Sequence, residues 1–241
     1  MILPPEEPHF GPWQAVPIGA FVRSIQEKLS KDRLGIVAID GRSANGKSTL
    51  AAFISREVPG SVVVHTDDIP SSATWSGRDR YSPPESAIPS FYDWIERACE
   101  DVLKPARAGQ AVAYRPPSWT DWLREESAFI DVPLDCPLLI FEGVGAARRE
   151  LTDLLDVAVW VQSDIEKAET RGIARDGGDM EAATFWKKWM AEEFPFLAEQ
   201  RPWERADFVV SGTPELGYDP DLEVVLAQKP PRASTNAITS S

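Results

Sequence analysis

The chain has 241 residues, with 25 Lys and Arg against 38 Asp and Glu, and a formal net charge of -13. Its two histidines and two cysteines are too few for a Cys/His zinc site, an iron–sulfur cluster or a disulfide framework of more than one bridge. The acidic surplus argues against broad binding to nucleic acid or to anionic membranes. The first residues are acidic where a secretory signal is basic, and no run approaches the roughly 18 apolar residues of a membrane span, so we expect a cytoplasmic protein.

The pattern along the chain is typical of one domain between two irregular ends. Five prolines among residues 1–17 predict an extended, loosely ordered segment, and the Pro/Ser/Thr/Ala-rich composition of residues 229–241 predicts a disordered tail. The domain is expected to span residues 18–228. Apolar spacings of three and four predict helices over residues 18–30, 50–58, 86–103, 163–175 and 180–197. Short apolar runs predict strands near residues 34–40, 61–66, 137–142, 156–162 and 206–211. Because strands alternate with helices, the predicted fold class is α/β with a parallel sheet.

Residues 70–84 and 113–133 show no clean period and are predicted to form long loops, which are often functional in compact domains. Their aromatic side chains either form a stacking pocket for a planar ring or close the loops over the core, and the sequence leaves both readings open. These residues are Trp75, Tyr81, Tyr114, Trp119 and Trp122. Trp186 and Trp189 share a face of a predicted helix and are expected to be packing residues.

Residues 41–49 read Gly-Arg-Ser-Ala-Asn-Gly-Lys-Ser-Thr and match the phosphate-binding pattern G-x-x-x-x-G-K-[ST]. The glycines let successive backbone N–H groups point into one concavity, and the helix that follows adds its N-terminal donors. Lys47 supplies a cation for the β- and γ-phosphates, and the Ser48 hydroxyl can bind Mg²⁺. Arg42 is expected to face solvent. The predicted nucleotide-binding residues are Gly41, Ser43, Ala44, Asn45, Gly46, Lys47, Ser48 and Thr49.

Carboxylates follow or end three of the predicted strands. Asp67 and Asp68 follow the second strand, where one of them, preferably Asp67, can take the proton of an attacking hydroxyl; capping or solvent exposure is the alternative. Glu142 ends the third strand and is a candidate magnesium residue together with Ser48, with a salt bridge to a nearby arginine as the alternative. Asp40 ends the first strand and either braces the phosphate-binding loop or orients a metal-bound water.

Arg171 and Arg175 lie one turn apart on a predicted helix and therefore share a face. Two guanidiniums on one face can bridge the phosphates of donor and acceptor and offset charge in the transition state. Pairing with neighbouring acids on a solvated surface is the alternative. His65 precedes the aspartate pair and is either a satisfied core histidine or a substrate contact.

Five segments together resemble the uridine kinase-like P-loop nucleoside and nucleotide kinases. They are Ile36–Leu50, Val64-His65-Thr66-Asp67-Asp68, Leu139-Ile140-Phe141-Glu142-Gly143, Arg171-Gly172-Ile173-Ala174-Arg175-Asp176 and, for the last strand, Arg205-Ala206-Asp207-Phe208-Val209-Val210. The resemblance implies a three-layer α/β/α sandwich with five parallel strands in the order 2-3-1-4-5 and a helical lid at about residues 164–198. It also implies that Asp67 is the catalytic base, that Glu142 helps to hold Mg²⁺ and that the lid carries the two arginines.

The resemblance further implies that residues 114–121 contribute to the acceptor site. Here that segment reads Tyr-Arg-Pro-Pro-Ser-Trp-Thr-Asp, which departs from the family's tyrosine–aspartate pattern, and Asp68-Ile69-Pro70 replaces the family's aromatic continuation. The candidate acceptor contacts are Asp68, Tyr81, Tyr114, Arg115, Trp119 and Asp121.

The leading hypothesis is ATP- and Mg²⁺-dependent phosphoryl transfer to a small hydroxyl-bearing acceptor, most simply a nucleoside or nucleotide. Lys47, Asp67, Arg171 and Arg175 are its catalytic residues. One alternative is a kinase of an antibiotic or other secondary metabolite, and another is a nucleotide-binding regulator with little turnover. Neither nucleic acid nor a membrane is an expected partner, and the oligomeric state stays open.

Overall fold

The structure, a computed structural model, describes residues 1–74, 80–82, 84, 86–115 and 129–228. The predictions for Trp75, Trp119, Asp121, Trp122 and the tail at 229–241 therefore lie outside the described residues. None of the helices in the described ranges combines the length and the apolar character that crossing a membrane requires.

A seven-stranded sheet forms the centre of the described structure. In chain order its strands are β1 (Trp13–Pro17), β2 (Gly35–Gly41), β3 (Val62–His65), β6 (Leu138–Glu142), β7 (Val157–Gln162), β8 (Phe208–Ser211) and β9 (Glu223–Ala227). Their spatial order is β1-β9-β8-β7-β2-β6-β3, and two short strands, β4 (Val112–Tyr114) and β5 (Ile130–Val132), pair separately. The run β3-β6-β2-β7-β8 is parallel throughout and confirms the predicted order 2-3-1-4-5.

The sheet has two strands more than the five that were predicted. β1 and β9 pair antiparallel at one edge, with Trp13 opposite Ala227. Residues 13–17 are therefore ordered rather than loose. A proline such as Pro17 is tolerated there because β1 pairs along one side only, so a missing N–H costs no ladder hydrogen bond on the open side. The β4–β5 pair likewise orders both ends of the stretch predicted as a loop over residues 113–133.

Helices cover both faces of the sheet. α1 (Ile18–Gln26) and α2 (Lys47–Glu57) pack on one face, while α5 (Ile165–Arg175), α6 (Met180–Gln200) and a helix over residues 95–107 complete the fold. Side chains of β2 alternate between the two cores, because successive residues of a strand point to opposite faces: Ile36 and Ala38 face the 95–107 helix, and Val37 and Ile39 face α1 and α2. This is the predicted three-layer α/β/α arrangement.

The helix predicted over residues 86–103 begins later than its apolar pattern indicated. It starts as α3 (Ile95–Arg97), continues through a π-helical segment (Ala98–Leu103) and ends as α4 (Lys104–Arg107). Ile88, one of the apolar residues on whose spacing the predicted helix rested, is 90% exposed. Pro89 explains the difference, since a proline restricts the preceding residue to extended conformations and cannot donate within a helix. The non-helical residues 86–94 are thus free to reach across to α6.

Candidate active site

The phosphate-binding loop joins the end of β2 to the start of α2, at the carboxyl edge of the parallel strands. Gly46, immediately before α2, has a φ of 95°, a value that favours glycine. Ala44 has a φ of 57°, in the left-handed region where a residue with a Cβ is strained by about 1–2 kcal/mol. Strain of this kind persists where the surroundings determine the backbone, as in ligand-binding loops. The conformation is the one that an anion-binding turn needs.

Contacts with the neighbouring strand ends hold this loop in place. The Asn45 side-chain amide donates to the carbonyl of Val161 at 2.8 Å, and the Ser163 hydroxyl donates to the carbonyl of Asn45 at 3.2 Å. The buried Lys47 ammonium donates to the carbonyl of Arg42 at 2.9 Å, across the turn of the loop. Lys47 also lines the cleft described below, so its cation is available on the ligand side of the loop.

Arg42 lies inside the protein, where solvent exposure was expected. It is 3% exposed, its Nε lies 3.3 Å from a carboxylate oxygen of Glu7, and its Nη2 donates to the carbonyl of Ser163. Glu7 also accepts hydrogen bonds from Trp160 Nε1 at 2.8 Å and Gln162 Nε2 at 2.9 Å. A segment with few sequence signals thus supplies the counter-charge beneath the phosphate-binding loop.

Glu142, at the end of β6, lies beside Ser48. The Ser48 hydroxyl donates to Glu142 Oε1 at 3.0 Å, and His65 Nδ1 contacts the same oxygen. Burial raises the pKa of Glu142, but the hydrogen bond with His65 and the charge of Lys47 outweigh it and hold that pKa below its ordinary value. Glu142 is therefore ionised at neutral pH, and its partners are a serine and a histidine rather than an arginine.

Ser48 and Glu142 fit a magnesium ion, because both present oxygen atoms and the carboxylate is charged. Mg²⁺ usually takes one or two carboxylates from a protein and completes its shell with substrate phosphates and water. Among the described residues, no group of three or more His, Cys, Asp or Glu side chains gathers to form a metal cage.

Asp40 is fully buried and braces the loop that follows Glu142. Its carboxylate accepts hydrogen bonds from the backbone N–H groups of Gly41 at 2.7 Å, Gly145 at 2.9 Å and Ala147 at 2.9 Å. Burial nevertheless raises the pKa of Asp40 to about 6. Of the two roles that the sequence left open, the contacts are those of a brace.

Asp67 lies in a 3-10 turn (Thr66–Asp68) directly after β3 and lines the same cleft as Lys47 and Glu142. Gly143 fixes the turn against the end of β6: its φ is 147°, and a Cβ there would lie 1.8 Å from the Thr66 hydroxyl. Asp68, by contrast, is buried and does not line the cleft. The geometry thus separates the two aspartates and brings Asp67 to the phosphate-binding loop.

Both arginines of α5 line this cleft. Arg171 donates to the carbonyl of Gly212 at 3.1 Å, and Arg175 forms two hydrogen bonds with Asp176, at 2.7 and 3.0 Å. The Asp176 hydrogen bond raises the pKa of Arg175, and the charge of Asp67 adds a smaller contribution in the same direction. Arg175 and Asp67 are thus within electrostatic reach of each other.

The cleft has a volume of about 750 Å³, and six aromatic rings form part of its lining. Trp186 and Trp189, expected to be packing residues, lie on this wall. The rings of Phe91 and Trp189 are 4.3 Å apart, and those of Tyr92 and Trp189 6.1 Å. This wall was not predicted as a unit, although aromatic residues cluster in the sequence on α6 and around residue 92. Its members are Phe91, Tyr92, Trp94, Phe185, Trp186 and Trp189.

The remaining candidate acceptor residues lie elsewhere among the described ranges. Tyr81 donates to Asp101 at 3.4 Å, Tyr114 is buried in β4, and Arg115 pairs with Asp131 at 2.7 Å. None of these three lines the cleft. Their role in acceptor binding stays a prediction.

Solved structures that match this chain include the following two. A possible uridine kinase from Bacillus stearothermophilus is 20% identical, with a TM-score of 0.51, over 80% of this chain and 96% of that one. A second structure, provisionally described as a fructose transport system kinase from Silicibacter sp. TM1040, is 18% identical over 79% of this chain and 95% of that one; its TM-score of 0.49 adds no support. No family model and no curated protein matches the chain. The chain therefore has the fold of the uridine kinase-like P-loop kinases.

Proposed function

We propose that the protein transfers a phosphoryl group from ATP, with Mg²⁺, to a small hydroxyl-bearing acceptor, most simply a nucleoside or nucleotide. The observation that carries this proposal is the meeting of four kinds of group in one cleft: a phosphate-binding loop, an oxygen pair suited to Mg²⁺, a strand-end aspartate and two arginines. Phosphoryl transfer depends chiefly on positioning and on charge stabilisation, and these groups supply both.

The donor half of the cleft is built for a triphosphate. The backbone N–H groups of the loop and the Lys47 ammonium hold the β- and γ-phosphates, and Ser48 and Glu142 hold the ion. Mg²⁺, when bound, neutralises charge on the phosphate oxygens. His65 orients Glu142 through their hydrogen bond, so that the carboxylate keeps one direction. A protein of net charge -13 thus binds an anion by means of a local positive site.

The chemical step needs a group that orients the acceptor hydroxyl and takes its proton. Asp67 is exposed on the cleft side of its turn, as this role requires. Arg171 and Arg175 approach from α5 and stabilise the charge of the transferring group. Asp40 acts indirectly, because it fixes the loop that follows Glu142.

The aromatic wall favours a second candidate function, the phosphorylation of a secondary metabolite with a flat or apolar ring system. Six aromatic rings form part of the cleft lining, and such a surface binds ring-bearing ligands through burial and stacking. To separate the two candidates, we would measure thermal stability with a non-hydrolysable ATP analogue and nucleosides, nucleotides or ring-bearing natural products in turn. The class that raises the melting temperature further identifies the acceptor.

The direct test of the proposed function is turnover. Wild type, Lys47→Ala and the matched control Lys31→Ala, which alters an exposed lysine, are incubated with ATP, Mg²⁺ and the acceptor panel. We expect phosphorylated product from wild type and from Lys31→Ala. For Lys47→Ala we expect a rate lower by a factor on the order of 10²–10³, because the cation that stabilises the transferring phosphate is removed. Tight ATP binding without product on any acceptor would favour the regulator instead.

A further inference from the structure

Glu193 of α6 is a fully buried carboxylate that contacts both the phosphate-binding loop and the aromatic wall. Oε1 accepts a hydrogen bond from the backbone N–H of Ser43 at 3.0 Å. Oε2 accepts from the Ser43 hydroxyl at 2.6 Å, from the Trp189 indole at 3.0 Å and from the Tyr92 hydroxyl at 3.2 Å. Its exposure is 0%, and of its four hydrogen bonds the one from Tyr92 is buried and the other three are partly buried.

Two of these hydrogen-bond donors belong to the phosphate-binding loop, and two belong to the aromatic wall. Ser43 is the third residue of the phosphate-binding loop and lies beside the strained Ala44. Tyr92 and Trp189 belong to the aromatic wall. Glu193 therefore joins, through one side chain, a loop that binds phosphate to rings that line the remainder of the cleft.

The physical setting makes this link stiff. A buried carboxylate is costly unless donors satisfy it, and the four donors here are neutral, with the charge of Arg42 as an additional attraction. If Ser43 moves when the loop binds phosphate, either Glu193 follows or a buried charge loses its donors. Hydrogen bonds in such a network strengthen one another, so a displacement at Ser43 is felt at Trp189.

The neighbouring residue provides a matched comparison. Glu192 also accepts hydrogen bonds from the segment before α3, from the Ser90 hydroxyl and, at 2.8 Å, from the backbone N–H of Phe91. Within the described residues, Glu192 forms no hydrogen bond with the phosphate-binding loop. Both glutamates thus fasten residues 90–92 to α6, and Glu193 additionally reaches the phosphate-binding loop.

We propose that Glu193 is a positioning residue that couples nucleotide binding at the phosphate-binding loop to the arrangement of the aromatic wall. This inference rests on the proposed function, because it assumes a nucleotide at that loop. Its role is to transmit a displacement of Ser43, caused by nucleotide binding, to Tyr92 and Trp189. The aromatic wall, where the acceptor would bind, then responds to nucleotide at the phosphate-binding loop.

The test uses the full chain, Mg²⁺ and a non-hydrolysable ATP analogue, with affinity measured by calorimetry. The signal of Trp189 is isolated by subtracting the fluorescence change of a Trp189→Phe version of each protein, since the chain has nine tryptophans. In wild type and in Glu192→Gln, we expect the analogue to change the Trp189 signal. In Glu193→Gln, we expect the analogue to bind within about tenfold of wild type while the Trp189 response is lost.

Ser43→Ala provides a second variant should Glu193→Gln fail to fold. It removes the 2.6 Å hydroxyl contact and keeps the backbone one, and we expect it to at least halve the response. An unchanged response in Glu193→Gln or in Ser43→Ala, or an equal loss in Glu192→Gln, overturns the coupling role alone. If wild type does not bind the analogue at all, the proposed function fails and this inference falls with it.

Discussion

Asp40→Asn tests how the buried brace of the active-site loop responds to pH. The pKa of Asp40 is raised from 3.8 to about 6 by burial, and the carboxyl is enclosed by three backbone N–H groups. A carboxyl whose pKa is higher in the folded than in the unfolded protein stabilises the fold while it is protonated. That stabilisation is fully present below pH 3.8 and is lost as the pH rises through about 6.

The size of the effect follows from the two pKa values. A shift of this size corresponds to about 3 kcal/mol in total, of which about 2 kcal/mol is lost between roughly pH 4.5 and 7.5. Wild type should therefore lose about 2 kcal/mol of unfolding free energy relative to Asp40→Asn across that range. The constant cost of placing an asparagine amide against the Ala147 N–H affects the offset of the difference, not its slope.

The assay is urea denaturation of both proteins at four pH values in this window, with the slope of the difference as the readout. Other titrating groups, such as Glu142, act in both proteins and cancel in the difference. A difference between wild type and Asp40→Asn that stays constant with pH, or that moves in favour of wild type as the pH rises, would refute the reasoning.

Two further predictions concern stability. Glu7→Ala leaves the buried Arg42 guanidinium without its carboxylate partner and should lower the unfolding free energy by about 3–5 kcal/mol in urea melts. The control Glu6→Ala, at an exposed neighbouring residue, should change it by less than about 0.5 kcal/mol, and equal effects of the two variants would contradict the ion-pair assignment. Gly143→Ala places a Cβ against Thr66 and should lower the unfolding free energy by about 2–5 kcal/mol in urea melts. The control Gly109→Ala, at a φ of 72° with open space around it, should show the backbone strain alone, and an effect of Gly143→Ala no larger than that of Gly109→Ala would speak against the clash.

The parallel core and the phosphate-binding loop were predictable because their signals are local in sequence. The loop pattern is contained within residues 41–49, and β2, which is buried on both faces, has a continuous apolar run that ends at Ile39. The prediction of the strand order came from the family resemblance rather than from the residues alone. In the structure, β2 lies at the centre of that order, between its parallel neighbours β6 and β7.

The missed features depend on residues that are far apart in the chain. β1 is a short edge strand and β9 lies next to it, and their pairing joins Trp13 to Ala227 with no turn between them to signal it. The partner of Arg42 is Glu7, in a segment whose prolines indicated an irregular chain. Glu193 reaches Ser43 across 150 positions, and a glutamate in a helix ordinarily faces water. Tertiary contacts of this kind leave no periodic signal.

The central claim is that Asp67 takes part in phosphoryl transfer within this cleft, and its most direct test is the transfer of labelled γ-phosphoryl from ATP. Wild type, Asp67→Asn and the matched exposed control Asp153→Asn are compared under single-turnover conditions with Mg²⁺ and the acceptor that most raises thermal stability. The account predicts label on the acceptor for wild type and Asp153→Asn, and a rate lower by about 10²–10⁴ for Asp67→Asn. Label that appears only in inorganic phosphate, or a wild-type rate in Asp67→Asn, would contradict it.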